Sequence, residues 1–300
     1  MNFDGIFTPV ITPLQANGEI DFNGFATVLE HLIESRVHGL IVGGSTGEYY
    51  AHTTQERLAS ISHASEVIAG RLPLVVGTGA IRTEDSVVFA EAAKAHKADA
   101  ILVGTPPYAL PTQAEIAEHV LTVDRAAGLP IMLYNYPGRM NMTMGAEFFA
   151  AVGSCKNIQS IKESTGDMAS LHRLALHHTH LQISCGWDDQ ALEFFAWGAR
   201  SWTCAGSNFL PREHVALYEA CVVEKDFDKG RKIMAAMLPF MDYLEGGKFV
   251  QSIKYGCELS GLPAGGVRAP LKGLTDEEKA DLERVVSALK ANVASIVKGA

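Results

Sequence analysis

Lys162 closes a short apolar run, Ile158–Lys162, directly after Ile161. A lysine at the end of a buried strand meets a desolvating environment that disfavours its ammonium form. Bringing an ordinary lysine from about 10.4 to about 7 takes roughly 4–5 kcal/mol of differential stabilisation. The neutral amine so obtained suits imine formation with a carbonyl substrate. The plainer alternative is a strand-end lysine that reaches out to solvent or pairs with Glu163. Imine chemistry also needs a proton relay, because water must leave a carbinolamine and protons must move at the substrate carbons. A phenol linked to hydroxyls can serve. Tyr134 and Tyr108, with Ser45 or Thr46, sit at or just beyond the ends of other apolar runs and supply such groups. Taken singly, each tyrosine reads equally as a packing residue.

These residues are useful only if the chain brings its strand ends to one rim. Candidate strands are Gly5–Thr12, Gly39–Gly43, Leu74–Gly77, Asp99–Gly104, Ile131–Asn135, Ile158–Lys162, Leu181–Gly186 and Ser201–Ala205. Their apolarity is continuous rather than alternating, which marks strands covered on both faces, as in a parallel sheet. Helical patterns lie between them: Phe22, Phe25, Val28, Leu29, Leu32 and Ile33 fall on one helix face. Thr53 with Glu56, Thr112 with Glu115 and Thr275 with Glu278 read as capping boxes. Eight β-then-α units ending near Val223 predict an α/β protein of the (β/α)8 TIM-barrel class. A doubly wound sheet would carry a Gly-rich phosphate turn after its first strand, where Pro13-Leu14-Gln15 stands. The expected division is a barrel over residues 1–224 that carries the active site. Residues 225–300 then form a helical extension packed on it. They read as three helices, the last with Leu282, Val285, Val286, Leu289, Val293 and Ile296 on one side.

Composition bounds the partners. Among 300 residues, 34 Asp and Glu outnumber 25 Lys and Arg, so the formal charge is −9 and a nucleic-acid partner is not expected. There is no apolar run long enough to span a bilayer, and the N-terminus lacks the basic start of a signal peptide. The 5 cysteines are an odd count with no C-x-x-C spacing, which predicts free thiols in a reducing, cytoplasmic setting. Gly43-Gly44-Ser45-Thr46-Gly47 also fits the G-x-S-x-G elbow of α/β-hydrolases, but only one strand precedes it. His177, His178 and His180 lie before the seventh strand, on the stability face of a barrel. They read as a solvated loop, and no metal site is expected. Asn141-Met142-Thr143 matches a glycosylation sequon, which carries no meaning without secretion.

Three stretches, Gly43-Gly44-Ser45-Thr46-Gly47-Glu48, Tyr134-Asn135-Tyr136-Pro137-Gly138-Arg139 and Ile161-Lys162-Glu163, resemble in order and spacing the signatures of one family. It is the dihydrodipicolinate synthase / N-acetylneuraminate lyase family of class I aldolases. The resemblance runs from Gly5-Ile6-Phe7-Thr8-Pro9 to Val267-Arg268-Ala269-Pro270-Leu271. It implies a barrel lyase without cofactor, in which Lys162 forms a Schiff base with pyruvate or another 2-oxo acid. By the same resemblance Tyr134 is the acid/base, Ser45 belongs to its relay, and Thr46 with nearby backbone N–H groups holds the carboxylate. Tyr108 matches a relay tyrosine lent to a neighbouring subunit, which implies a homo-oligomer, dimer or tetramer. Gly47, Arg139, Gly186, Asp188 and Ser207 complete the candidate substrate-binding set.

The branch within the family is drawn two ways. Arg139 matches the arginine by which synthases meet the carboxylate of aspartate semialdehyde; its planar fork suits that group. Gly186-Trp187-Asp188-Asp189, and Ser45 in place of Thr, look more like the sugar-acid lyases. The synthase reading leads, with a 2-keto-3-deoxy sugar acid aldolase or dehydratase as the alternative. A non-catalytic binder of 2-oxo acids is the remote one.

Overall fold

The computed structural model describes residues 1–298. Its strands are β1 (Gly5–Pro9), β2 (Gly39–Val42), β3 (Leu74–Gly77), β4 (Ala100–Gly104), β5 (Ile131–Asn135), β6 (Ile158–Glu163), β7 (Gln182–Cys185) and β8 (Ser201–Thr203). They pair in parallel in chain order, and β8 returns to β1 to close a barrel, the (β/α)8 architecture the sequence predicts. The first strand stops at Pro9, short of the expected Thr12. There the Asn208 side chain replaces a neighbouring strand: its Oδ1 accepts the Ile11 N–H at 3.1 Å, and its Nδ2 donates to the Pro9 carbonyl at 2.9 Å.

Helices cover the outer faces of the strands. The helix Phe22–Glu34 starts where Asp21 accepts the Gly24 N–H, and it buries Phe25, Val28, Leu29 and Leu32. Thr53 and Thr112 head capping boxes with Glu56 and Glu115 as expected, and Thr275 exchanges the same two bonds with Glu278. Beyond the barrel come the helices Phe227–Glu245, Phe249–Leu259 and Asp276–Lys298. The last buries Leu282, Val286, Leu289 and Val293. Among the described residues, no helix is long and apolar enough to cross a membrane.

The barrel interior is divided. On the β1–β5 side it is apolar, filled by Phe7, Ile41, Val75, Leu102 and Met132. On the β6–β8 side the buried groups are small hydroxyls: Ser160, Ser184, Ser201 and Thr203. All four have partners inside the barrel: Ser184 and Thr203 share a hydrogen bond of 2.9 Å, Ser201 donates to Ser184 at 2.9 Å, and Ser160 donates to the Gln182 carbonyl at 2.7 Å. Side chains two residues apart on a strand share a face, so Lys162 stands above Ser160. In register, it lies between Tyr134 on β5 and Ser184 on β7.

Candidate active site

At the C-terminal end of the strands opens a cavity of about 490 Å³. Seven of the sequence-predicted residues line it: Ser45, Thr46, Tyr134, Arg139, Lys162, Gly186 and Asp188. Lys162 arrives on β6 and Tyr134 on β5, as register partners. The Lys162 Nζ lies 4.4 Å from the centre of the Tyr134 ring. Ser45 and Thr46 come from the short turn Ser45–Gly47 after β2. Arg139 comes from the turn Pro137–Met140, with its guanidinium 5.7 Å from the Tyr136 ring.

Burial makes the amine easier to deprotonate than an ordinary lysine's. Burial holds the Lys162 ammonium below an ordinary lysine's value, against the charge of Asp188 and with help from that of Arg139. The interior hydroxyls below it are already bonded to one another, so the barrel offers little compensation for lost water. Burial also raises the Asp188 carboxyl, although the Trp202 indole donates to its Oδ1 at 2.9 Å. Both shifts favour the neutral forms of Lys162 and Asp188. The Tyr134 phenol is pushed up to about 12 by burial, opposed by the Arg139 charge and by hydrogen bonding with Ser45. Tyr134 is therefore a protonated donor at neutral pH.

Gly186 leaves the space that the lysine stem occupies. A Cβ there would lie 2.0 Å from Ser164 Oγ and 2.7 Å from Lys162 Cγ. A Gly186→Ala variant must displace the stem, and misplacement of a reacting group by about 1 Å can cost about 10²-fold. We expect kcat/KM to fall by that order; a folded variant with parental kcat/KM would show that the amine's position tolerates the shift.

Three predicted residues lie elsewhere. Ser207 is fully buried, donating to the Cys204 carbonyl at 2.6 Å and sharing a hydrogen bond of 2.7 Å with Thr8. Its place in the chain is at the rim, but the turn Ala205–Asn208 packs its hydroxyl away from the cavity wall. Gly47 is buried outside the wall as well; a Cβ there would sit 2.9 Å from the Val10 carbonyl oxygen, so close packing requires glycine. Tyr108 is 89% exposed and contributes nothing to the cavity within one chain.

The sequence reading omits part of the wall. Glu245, Lys248 and Gln251, at the junction of the helices Phe227–Glu245 and Phe249–Leu259, also line the cavity. Lys248 is paired with Glu278 at 2.6 Å. Burial raises the Glu245 carboxyl, assisted by Asp189 and opposed by Arg139. Apolar periodicity marks those helices as packed but cannot show which ends reach the barrel mouth.

With this geometry in place, comparison with known proteins is decisive. The profile of the Dihydrodipicolinate synthetase family matches residues 2–289. The chain belongs to that family. Curated family members include a 4-hydroxy-tetrahydrodipicolinate synthase of Exiguobacterium sibiricum, 32% identical over 97% of this chain and 99% of that one. Another, from Stenotrophomonas maltophilia, is 35% identical over 81% of this chain and 82% of its own. Among solved structures of the family, the dihydrodipicolinate synthase of Aquifex aeolicus superposes with a TM-score of 0.90 at 29% identity, covering 97% of this chain and 99% of that chain. YagE, a prophage protein of E. coli K12 solved in complex with pyruvate, gives 0.91 at 29% identity over 97% of this chain and 99% of its own. Family membership makes this protein a class I, aldolase-type enzyme.

Proposed function

We propose that the protein is a Schiff-base lyase that condenses pyruvate with aspartate semialdehyde, as a 4-hydroxy-tetrahydrodipicolinate synthase. The observation that carries this reading is Lys162, its ammonium made easier to deprotonate by burial, beside a protonated Tyr134 on the wall of one cavity. The neutral amine adds to the 2-oxo carbon and forms a carbinolamine. Tyr134 donates a proton to the departing hydroxyl, water leaves, and the imine remains. The phenolate takes a proton back from solvent through the hydroxyl of Ser45, which shares the cavity wall with it. Thr46 receives the 2-oxo acid's carboxylate. Among the described residues the Arg139 guanidinium has no carboxylate partner, which suits it to the carboxylate of the second substrate. Its fixed charge also explains how a chain of net charge −9 accepts anions.

Asp188 and Glu245 in the same wall favour a second reading, a 2-keto-3-deoxy sugar acid aldolase or dehydratase, since carboxyl groups, charged or neutral, exchange hydrogen bonds with substrate hydroxyls. A panel assay separates the two. Pyruvate with aspartate semialdehyde should turn over faster than any 2-keto-3-deoxy acid; the reverse order would transfer the protein to the lyase branch.

Assembly follows the same reading. Tyr108, at 89% exposure, and Ile81, at 63%, are large side chains left open to solvent in the single chain. A homo-oligomer, dimer or tetramer, in which Tyr108 extends the relay of a neighbouring copy gives the tyrosine a role. A cytoplasmic location is consistent with the 5 free cysteines.

A further inference from the structure

The turn that carries Ser45 and Thr46 is held from behind by the C-terminal part of the chain. Glu48, which follows it, adopts the left-handed conformation at φ 55° and ψ 34°, a sparse region for a non-glycine residue. Its side chain is fully buried. One carboxylate oxygen, Oε1, lies 2.6 Å from the Nζ of Lys254, itself 2% exposed. The other accepts the backbone N–H of Arg268 at 3.1 Å. Lys254 also donates to the Gly266 carbonyl at 2.7 Å. Arg268 fastens the same region further, donating to the Ala51 carbonyl at 2.9 Å and pairing with Glu56.

Neither Glu48 nor Lys254 touches the cavity, yet both adjoin residues that do. Thr46 is two positions before Glu48, and Gln251, on the cavity wall, is three positions before Lys254 on the helix Phe249–Leu259. A buried ion pair is a poor device for stability, because an apolar pair of similar volume is often as stable or more so. What it supplies is a fixed geometry, and here it fixes the backbone of a strained turn.

We propose that Glu48 and Lys254 are positioning residues that hold Ser45 and Thr46 in place and thereby set the affinity for the 2-oxo acid. The inference rests on the Schiff-base reading above. A merely structural pair would move stability alone, whereas a positioning pair moves half-saturation by the 2-oxo acid.

The test is borohydride labelling of Lys162 against pyruvate concentration. Either single neutralisation strands a buried charge, so the variant of choice is Glu48→Gln with Lys254→Met, which removes both charges at nearly constant volume. The half-saturating pyruvate concentration should rise about tenfold, equivalent to about 1.4 kcal/mol. The labelling rate at saturation should change by less than about threefold, which is under 1 kcal/mol. Lys254→Arg keeps the charge with a different head and decides the matter if the paired variant does not fold; its half-saturation should rise by about threefold. A folded variant with parental half-saturation overturns the positioning role and leaves the Schiff base standing. No labelling of the parental protein at any pyruvate concentration overturns both.

Discussion

In a Lys162→Ala variant, borohydride with pyruvate is expected to leave the protein mass unchanged, whereas the parental chain gains one reduced adduct on Lys162. Turnover should fall by more than about 10⁵-fold, the scale seen when a covalent nucleophile is removed. Alanine at this position deletes the only atom that can bond to the carbonyl carbon in the proposed step. It leaves the interior hydroxyl network of Ser184, Ser201 and Thr203 intact, so loss of activity should not bring loss of fold. The pH dependence follows from the direction of the shift. Burial lowers the Lys162 value from 10.5, so the neutral fraction, and with it the labelling rate of the parental protein, climbs with pH and levels off below that figure. In Arg139→Gln a charge that opposes the ammonium is gone; the amine becomes more basic and the plateau moves to higher pH. An adduct mass on the Lys162→Ala variant would mean that another amine carries the chemistry.

Tyr134→Phe should have the second-largest effect. Removal of the hydroxyl takes away the proton donor for water loss while the ring still packs against Lys162. A fall in kcat of about 10²–10⁴-fold, or about 3–5 kcal/mol, is the scale for a general acid or base. The phenol at about 12 remains protonated throughout the neutral range, so the defect should persist across it rather than follow a titration there. Ser45→Ala should reproduce part of it, since the Ser45 hydroxyl acts on the phenol from the same cavity wall. A parental kcat for Tyr134→Phe would remove the tyrosine from the relay.

The contrast between residues found and residues missed has a physical origin. Lys162 and Tyr134 are legible because a parallel barrel puts chemistry at strand ends, and short apolar runs closed by a polar group mark those ends plainly. The barrel itself is legible for the same reason, down to the capping boxes that start its helices. Ser207 defeats that logic: chain position brings it to the rim, but its hydroxyl meets Thr8, a long-range contact that no local pattern encodes. Glu245, Lys248 and Gln251 fail in the opposite sense. Their approach to the mouth depends on how two helices outside the barrel turn into each other, and hydrophobic periodicity reports only which face is packed.

That junction divides labour along the chain. Tyr134 and Lys162 stand on β5 and β6, fixed by register, while Glu245, Lys248 and Gln251 reach the same cavity from helices outside the barrel. The strand-borne and helix-borne parts of the wall can therefore change at separate rates. A lineage could reshape the mouth by altering a few residues between Leu244 and Gln251, with Lys162 and Tyr134 left untouched. In such an architecture the amine is inherited with the barrel, and the helices can retune the wall that surrounds it.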